Sequence, residues 1–425
     1  MPAAVKRGIF MSTKDKTKKK SKGKIALIVL GSFVGIIVFA LLICMCVSLI
    51  GIKSNTNFIK SMEAVSYESQ LKPDIGEDGY YTFVTDDNFK VMQLTDVHIG
   101  AGFLSIKKDS MALNAVASMI QEEKPDLVVV SGDIAYPIPF QAGTFNNKNS
   151  ARLFATLMEQ LGVYWAPAFG NHDTESYSYY TREDICEFYS SGEFSHCLLQ
   201  AGPEDVDGVG NYIVNVKNTA GKITQSLVVM DSQSYVGSGI IDGIIMKYDR
   251  IHDNQVEWYK SEIKALTEEN GGVTPKSLAF FHIPLVEYKT AWEEYVNNGS
   301  KDTENVKYYY GKVGEKDSGI FCAEENCGLF DAAKELGSTQ GFFCGHDHLN
   351  NFSVDYKGIR LTYGYSIDYL AYIGIMKYGA QRGCTIIDIS PDGSFDTHLE
   401  NYYQDKYRPE KDKEQVSMDS WIPKY

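Results

Sequence analysis

Five apolar runs in this chain of 425 residues end alike, in aspartate, asparagine or histidine. Residues 89–95 lead into Asp96-Val97-His98 and residues 126–131 into Gly132-Asp133. Residues 163–169 lead into Gly170-Asn171-His172-Asp173, residues 277–281 into His282, and residues 341–344 into Gly345-His346-Asp347-His348. The runs are short and several lack a polar alternation, the pattern of strands covered on both faces. Between them lie stretches with helical spacing: 107–123, with Leu113, Val116 and Ile120, then 151–161, and later 255–266. Strand, helix and strand in alternation predict a layered α/β domain. In such folds the carboxyl ends of the strands open on one crevice. Polar residues far apart in sequence are therefore expected to meet there.

Their chemistry suits a purpose. Asp and Asn offer hard oxygens and His a borderline nitrogen, a mixture that favours Zn, Mn or Fe over Ca or Cu(I). One bridging carboxylate can hold two ions about 3.5–4 Å apart, the spacing that clamps a phosphoryl group and ionises a water. Gly132, Gly170 and Gly345 beside the ligands permit tight turns that aim the next side chain inward. Alone, the D-x-H pair is a weak signal. The ordered set D-x-H, G-D, G-N-H-D, H and G-H-x-H seldom arises by accident. Five of the eight histidines fall in it; His196, His252 and His398 do not and read as surface or packing residues.

The charge is unevenly spread. Up to Lys24 there are nine basic residues against Asp15 alone, a net +8, which leaves −22 for the rest of a chain whose total is −14. So acidic a body repels polyanions, and no nucleic-acid polymer is expected as a partner. Residues 25–52 carry no charge and exceed the roughly 20 residues a helix needs to cross a bilayer. A cleaved signal peptide has a shorter apolar region and a small-residue cleavage site. The run therefore reads as an uncleaved anchor, whether the chain starts at Met1 or at Met11. Residues 1–24 form a basic cytoplasmic head, 25–52 a transmembrane helix, 53–79 a polar stalk and 80–425 the catalytic domain. By the positive-inside rule this is a single-pass cell-membrane protein with its catalytic domain extracellular. Disulfides are permitted there. Cys186 with Cys197 and Cys322 with Cys327 are candidate local pairs, and small buried hydrophobes are the other reading. No C-x-x-C occurs, which argues against a thiolate zinc site.

The ordered motifs, from about Phe89 to Ile389, resemble the calcineurin-like metallophosphoesterase superfamily. The purple-acid-phosphatase-like branch is similar in Phe281-His-Ile-Pro-Leu-Val-Glu287, Asn326-Cys-Gly-Leu-Phe330, Gly345-His-Asp-His-Leu-Asn350 and Met230-Asp-Ser232. The resemblance implies a two-sheet α/β/β/α sandwich behind the N-terminal transmembrane helix. It implies two divalent or trivalent ions (Fe, Mn or Zn). Asp96, His98, Asp133 and His348 would hold the first, Asp133 would bridge, and Asn171, His282 and His346 would complete the second. His172 would be the general acid with Asp173 orienting its ring, and Asp347 would make supporting hydrogen bonds. Purple acid phosphatases have an iron-bound Tyr three residues after the bridging Asp and lack the His of D-x-H. Here Tyr136 and His98 are both present and compete for one position. His98 is favoured, because D-x-H is the commoner superfamily pattern and Pro137 redirects the chain; a colourless protein is predicted.

The segment between His282 and Gly345, with Tyr295, Tyr308, Tyr309 and Tyr310, is expected to form a lid. The five tyrosines of 363–378 are candidates for lining the crevice, and Arg360, Lys377 and Arg382 for contacting phosphate. Three function classes follow: a phosphatase or phosphodiesterase on small esters, a hydrolase of phospholipid head groups or nucleotide-type diesters at the membrane surface, and a non-enzymatic surface protein that keeps the fold.

Overall fold

A computed structural model describes residues 14–237, 247–372 and 382–407. Lys377 and Tyr378, like the first thirteen residues, lie outside these. The chain divides into two compact units, 1–50 and 51–425.

Helix α1 (Lys14–Lys60) contains the one described helix long and apolar enough to cross a membrane. Its side chains from Ile25 to Ile50 are largely exposed. The expected stalk takes a different form. Helix α1 continues to Lys60, and the residues after Gly51 dock on the second unit. Ile59 is wholly buried in the core, with Ile52, Met62, Val65 and Leu71 packed against it. Asn55 Nδ2 donates to the Ile106 carbonyl, Tyr67 Oη to that of Pro125, and Gln70 Nε2 to that of Gly162. The apolar residues spaced through this polar stretch, Ile59, Met62, Val65 and Leu71, are what drive the docking.

The second unit holds two sheets. The larger has nine strands in the order β1 (Asp74–Ile75), β2 (Tyr81–Val84), β6 (Tyr212–Lys217), β7 (Ile223–Val229), β8 (Lys276–Phe280), β10 (Thr339–Cys344), β12 (Ile359–Tyr363), β11 (Ser353–Tyr356), β9 (Val306–Tyr310). The smaller has five, in the order β14 (Phe395–Asn401), β13 (Gly383–Ile389), β3 (Phe89–Leu94), β4 (Leu127–Ser131), β5 (Trp165–Ala168). Strands β3, β4 and β5 run parallel, as do β7, β8, β10 and β12.

The side chains of β7, β8 and β10 alternate between two cores, as the pleat requires. Leu227, Val229, Leu278, Phe280 and Phe343 face the smaller sheet, in the core that also holds α2 (Ile106–Glu123) and α3 (Asn147–Leu161). Val228, Ala279 and Phe342 face the other way, toward α4 (Asp253–Glu269), α5 (Val286–Asn297) and α6 (Leu329–Leu336). With both faces covered, these runs show no polar alternation, and the layers are the α/β/β/α sandwich expected. Gln93 stitches the sheets beneath the site, its Nε2 donating to Ser131 Oγ at 2.8 Å and to the Cys344 carbonyl at 3.0 Å.

Strand β9 takes most of the expected lid out of the crevice. It pairs with β11 as the sheet's edge; Tyr295 stacks on Tyr308, Tyr309 covers the Arg360 guanidinium, and Tyr310 is buried. All eight cysteines are free thiols, so neither candidate disulfide is formed.

Candidate metal centre

The loops after β3, β4, β5, β8 and β10 converge where the two sheets meet. Asp96, His98, Asp133 and Asn171 come from the smaller sheet, His282, His346 and His348 from the larger. Asp96, His98, Asp133 and His348 are buried and bring one ligand atom each to within 4.8 Å of one another. Asp133 Oδ2 lies 3.3 Å from His98 Nε2 and 3.1 Å from His282 Nε2. His282 Nε2 is also 3.1 Å from Asn171 Oδ1, and His348 Nε2 is 3.4 Å from Asp96 Oδ1. The ring of His346 lies 5.2 Å from that of His282, and its backbone N–H donates to Asp96 Oδ2.

The backbone bends sharply to achieve this. Asp96, His98, Asp133 and His346 all adopt left-handed conformations, with φ of 51°, 53°, 58° and 78°. Each costs a non-glycine residue about 1–3 kcal/mol, and such strain concentrates at functional sites. Gly132 supplies the positive φ of its turn. At Gly170 and Gly345 the need is space: a Cβ would collide with the Asp133 carboxylate in the first and with Thr95 in the second.

The residues fit a metal. Two carboxylates, Asp96 and Asp133, are buried with ligand oxygens within 4.8 Å of each other, and Asp96 Oδ1 has no hydrogen-bond partner. Buried anions so close require cations. Burial pushes the Asp133 carboxyl up, but the neighbouring His282 and His172 outweigh it and hold it well below the usual range. The donor set of carboxylate, amide and imidazole is that of Zn, Mn or Fe.

Tyr136 does not contest His98. Its ring packs on that of His98 at 4.5 Å, but its hydroxyl turns away and donates to Gln141 Oε1 at 2.7 Å. Burial and the charge of Asp368 push the phenol up.

His172 stands at the edge, with 19% of its side chain accessible against none for His98 and His282 and 6% for His348. Its backbone N–H donates to Asp133 Oδ1, and its Nδ1 lies 2.7 Å from Glu175 Oε1. Glu175 therefore orients the ring, where Asp173 was expected to. Asp173 instead accepts the backbone N–H groups of Asp133, Ala135 and Gly170, shaping the two ligand loops. Burial and the charge of Asp133 raise its carboxyl to about 6. Asp347 points away from the cluster, accepting from Tyr363 Oη, Phe321 N and Asn350 Nδ2.

Of the candidate phosphate contacts, Arg360 donates to Ser353 and Asp396, and Arg382 is buried against Tyr369 and Tyr403. Both serve the fold. Of the crevice tyrosines, Tyr372 packs on His348 at 4.8 Å, while Tyr363, Tyr365 and Tyr369 are buried. Tyr235 and Tyr248 carry no motif; Asn171 Nδ2 donates to the hydroxyl of the first, and the second packs on His346. Asp368, likewise outside every motif, is the single charged residue between Arg360 and Lys377, a signal open to a reader of the sequence.

A family model described as calcineurin-like phosphoesterase matches residues 89–350. Two Arabidopsis thaliana proteins, probable inactive purple acid phosphatases 14 and 28, are 30% and 28% identical, each over 68% of this chain and 73% of their own. A yeast protein, phosphatase DCR2, is 27% identical over 64% of this chain and 46% of its own. A dimetal phosphatase from Danio rerio aligns with 74% of this chain and 97% of its own, at 12% identity and a TM-score of 0.47.

Proposed function

This chain belongs to the calcineurin-like phosphoesterase family, and from that premise we propose that it is a hydrolase of phosphoesters working with two metal ions. The observation that carries the reading is Asp133 Oδ2, which lies between His98 and His282, one from each proposed ligand set. Asp96, His98, Asp133 and His348 would hold one ion; Asp133, Asn171, His282 and His346 the other. When bound, such ions neutralise a phosphoryl group and supply a hydroxide at neutral pH.

The chain's own residues do the rest. Glu175 takes Nδ1 of His172, which leaves Nε2 as the atom able to hold a proton for the leaving oxygen. Tyr235 fixes the amide of Asn171, and Ser131 O fixes the ring of His282 through Nδ1 at 2.9 Å. Tyr248 and Tyr372, packed on His346 and His348, wall the approach.

The membrane-spanning reading of residues 25–52, with the domain extracellular, belongs to the same proposal. It favours esters presented at a bilayer. Leu104 and Phe140, 49% and 92% exposed, stand on two loops joined by the bond from Leu104 N to the Ala142 carbonyl. The first loop runs into Ile106, against which Gly51 is packed.

The two plant relatives are named as probably inactive, so activity is the decisive measurement. The full chain should cleave p-nitrophenyl phosphate or its bis ester with Mn, Zn or Fe. Phospholipid vesicles then separate soluble from lipid-borne substrates. If no ester is cleaved with any of these metals and elemental assay finds none bound, the hydrolase reading fails and the non-enzymatic one stands.

A further inference from the structure

Asp368 lies on the loop after β12, fully buried. Its Oδ1 is 3.3 Å from His98 Nδ1, and its Oδ2 is 3.2 Å from His348 Nδ1. The opposite nitrogens of the same rings, both Nε2, face Asp133 Oδ2 and Asp96 Oδ1. Each imidazole thus turns Nε2 to the cluster and Nδ1 to this one carboxylate. A neutral imidazole has one N–H and one lone pair, and an ionised carboxylate only accepts. The two contacts are ion-pair distances rather than formed hydrogen bonds; a carboxylate so placed favours the hydrogen on Nδ1 of both rings and leaves both lone pairs on Nε2, toward the cluster.

Asp368 is itself held in place. Its Oδ1 accepts the backbone N–H groups of Leu370 and Ala371, and its Oδ2 that of Tyr372, each at 2.7 Å. Its carbonyl accepts from Arg382 Nε at 2.9 Å. Buried Arg382 is thereby explained: it anchors the loop. In the second ligand set, the Nδ1 of His282 is taken by Ser131 O instead.

We propose that Asp368 is the positioning residue of the first metal site, one carboxylate that sets ring orientation and tautomer for both His98 and His348. The proposal rests on the two-metal reading above and adds to it a selectivity: losing Asp368 costs one ion and spares the other. Asp368→Asn tests this, because an amide has a single acceptor and can serve only one of the two rings. Its NH₂ would donate to the other ring and force that hydrogen onto Nε2.

The full chain in detergent is loaded with zinc and titrated against a chelator, with elemental analysis of the product. Wild type should hold two ions. Asp368→Asn should hold one tightly, with the other weakened about 10–100-fold, and keep its circular dichroism. Two ions held at unchanged affinity would overturn the proposal, as would loss of both together from a folded variant. A wild type that takes up no ion sinks the two-metal reading itself, a separate failure. Should the variant not fold, ¹⁵N-histidine spectra of the zinc-loaded wild type decide. Signals assigned by their loss in His98→Ala and His348→Ala should both show Nδ1–H and a metal-shifted Nε2. Nε2–H on either ring refutes the idea.

Discussion

His172 is separated from the proposed ligands around it by its partner. Its Nδ1 is taken by Glu175 and its ring abuts Tyr136 at 4.8 Å, so its role is argued as proton donor. His172→Ala should lower turnover about 10²–10⁴-fold while elemental analysis still finds the wild-type metal content. Falling metal content would make it a ligand instead. Glu175→Gln should lower turnover less, again without metal loss. Residues like Asp96, His98 and His348 are readable in the sequence because the strand end fixes their spacing. Glu175 is not, because a supporting carboxylate need only reach a ring nitrogen and can arrive from any loop; Asp368 offers only its isolation as the one charge between Arg360 and Lys377. Asp173 illustrates the hazard: adjacency to His172 suggested a partner, yet the turn aims its carboxylate at three backbone amides.

Among the elements, the loop after β5 is tightly constrained. A methyl at Gly170 would take the space of the Asp133 carboxylate, the group proposed to serve both ions. Gly170→Ala should therefore abolish binding of both metals, unlike Asp368→Asn, and destabilise the protein by about 1–3 kcal/mol; chelator titration and thermal melts read the two effects. Strand β14 and the turn after it offer a pH handle. Burial pushes the Glu400 carboxyl up, but His398, Lys406 and Gln404 outweigh it and bring it to about 2. Its folded value lies below its unfolded one, so the stability it lends is complete above about 4.5 and is lost as pH falls toward 2. Glu400→Gln should remove about 1 kcal/mol, after allowance for solvent screening, and flatten the acid limb of a stability–pH curve in that window. The strands feeding the site were readable from their unbroken apolar runs. The edge strand β9 was not, because its tyrosines, covering Arg360 and one another, have the composition of a lid.

At the scale of the molecule, the layer order followed from the alternation of strands and helices. The N-terminal boundary of the domain did not. Polar composition between 53 and 79 hid four apolar side chains that the core requires. Ile59, fully buried, is worth about 1.5–3 kcal/mol, and the three half-buried side chains less. A chain starting at Gly51 should melt as the full chain does, whereas one starting at Tyr80 should melt far lower or aggregate. Equal melting of the two would show the docked segment to be dispensable. The division of the ligands between two sheets has a consequence in time. Asp96 precedes His346 by 250 residues, a delay of roughly 12–50 s at ribosomal speeds. Strand β13, later still, must slot beside β3 in the smaller sheet. During that interval the nascent chain offers acids without most of the histidines that complete the site. An ion held at the proposed site would thus be drawn from the surroundings in which the sheets close, not those in which the first of its residues are made.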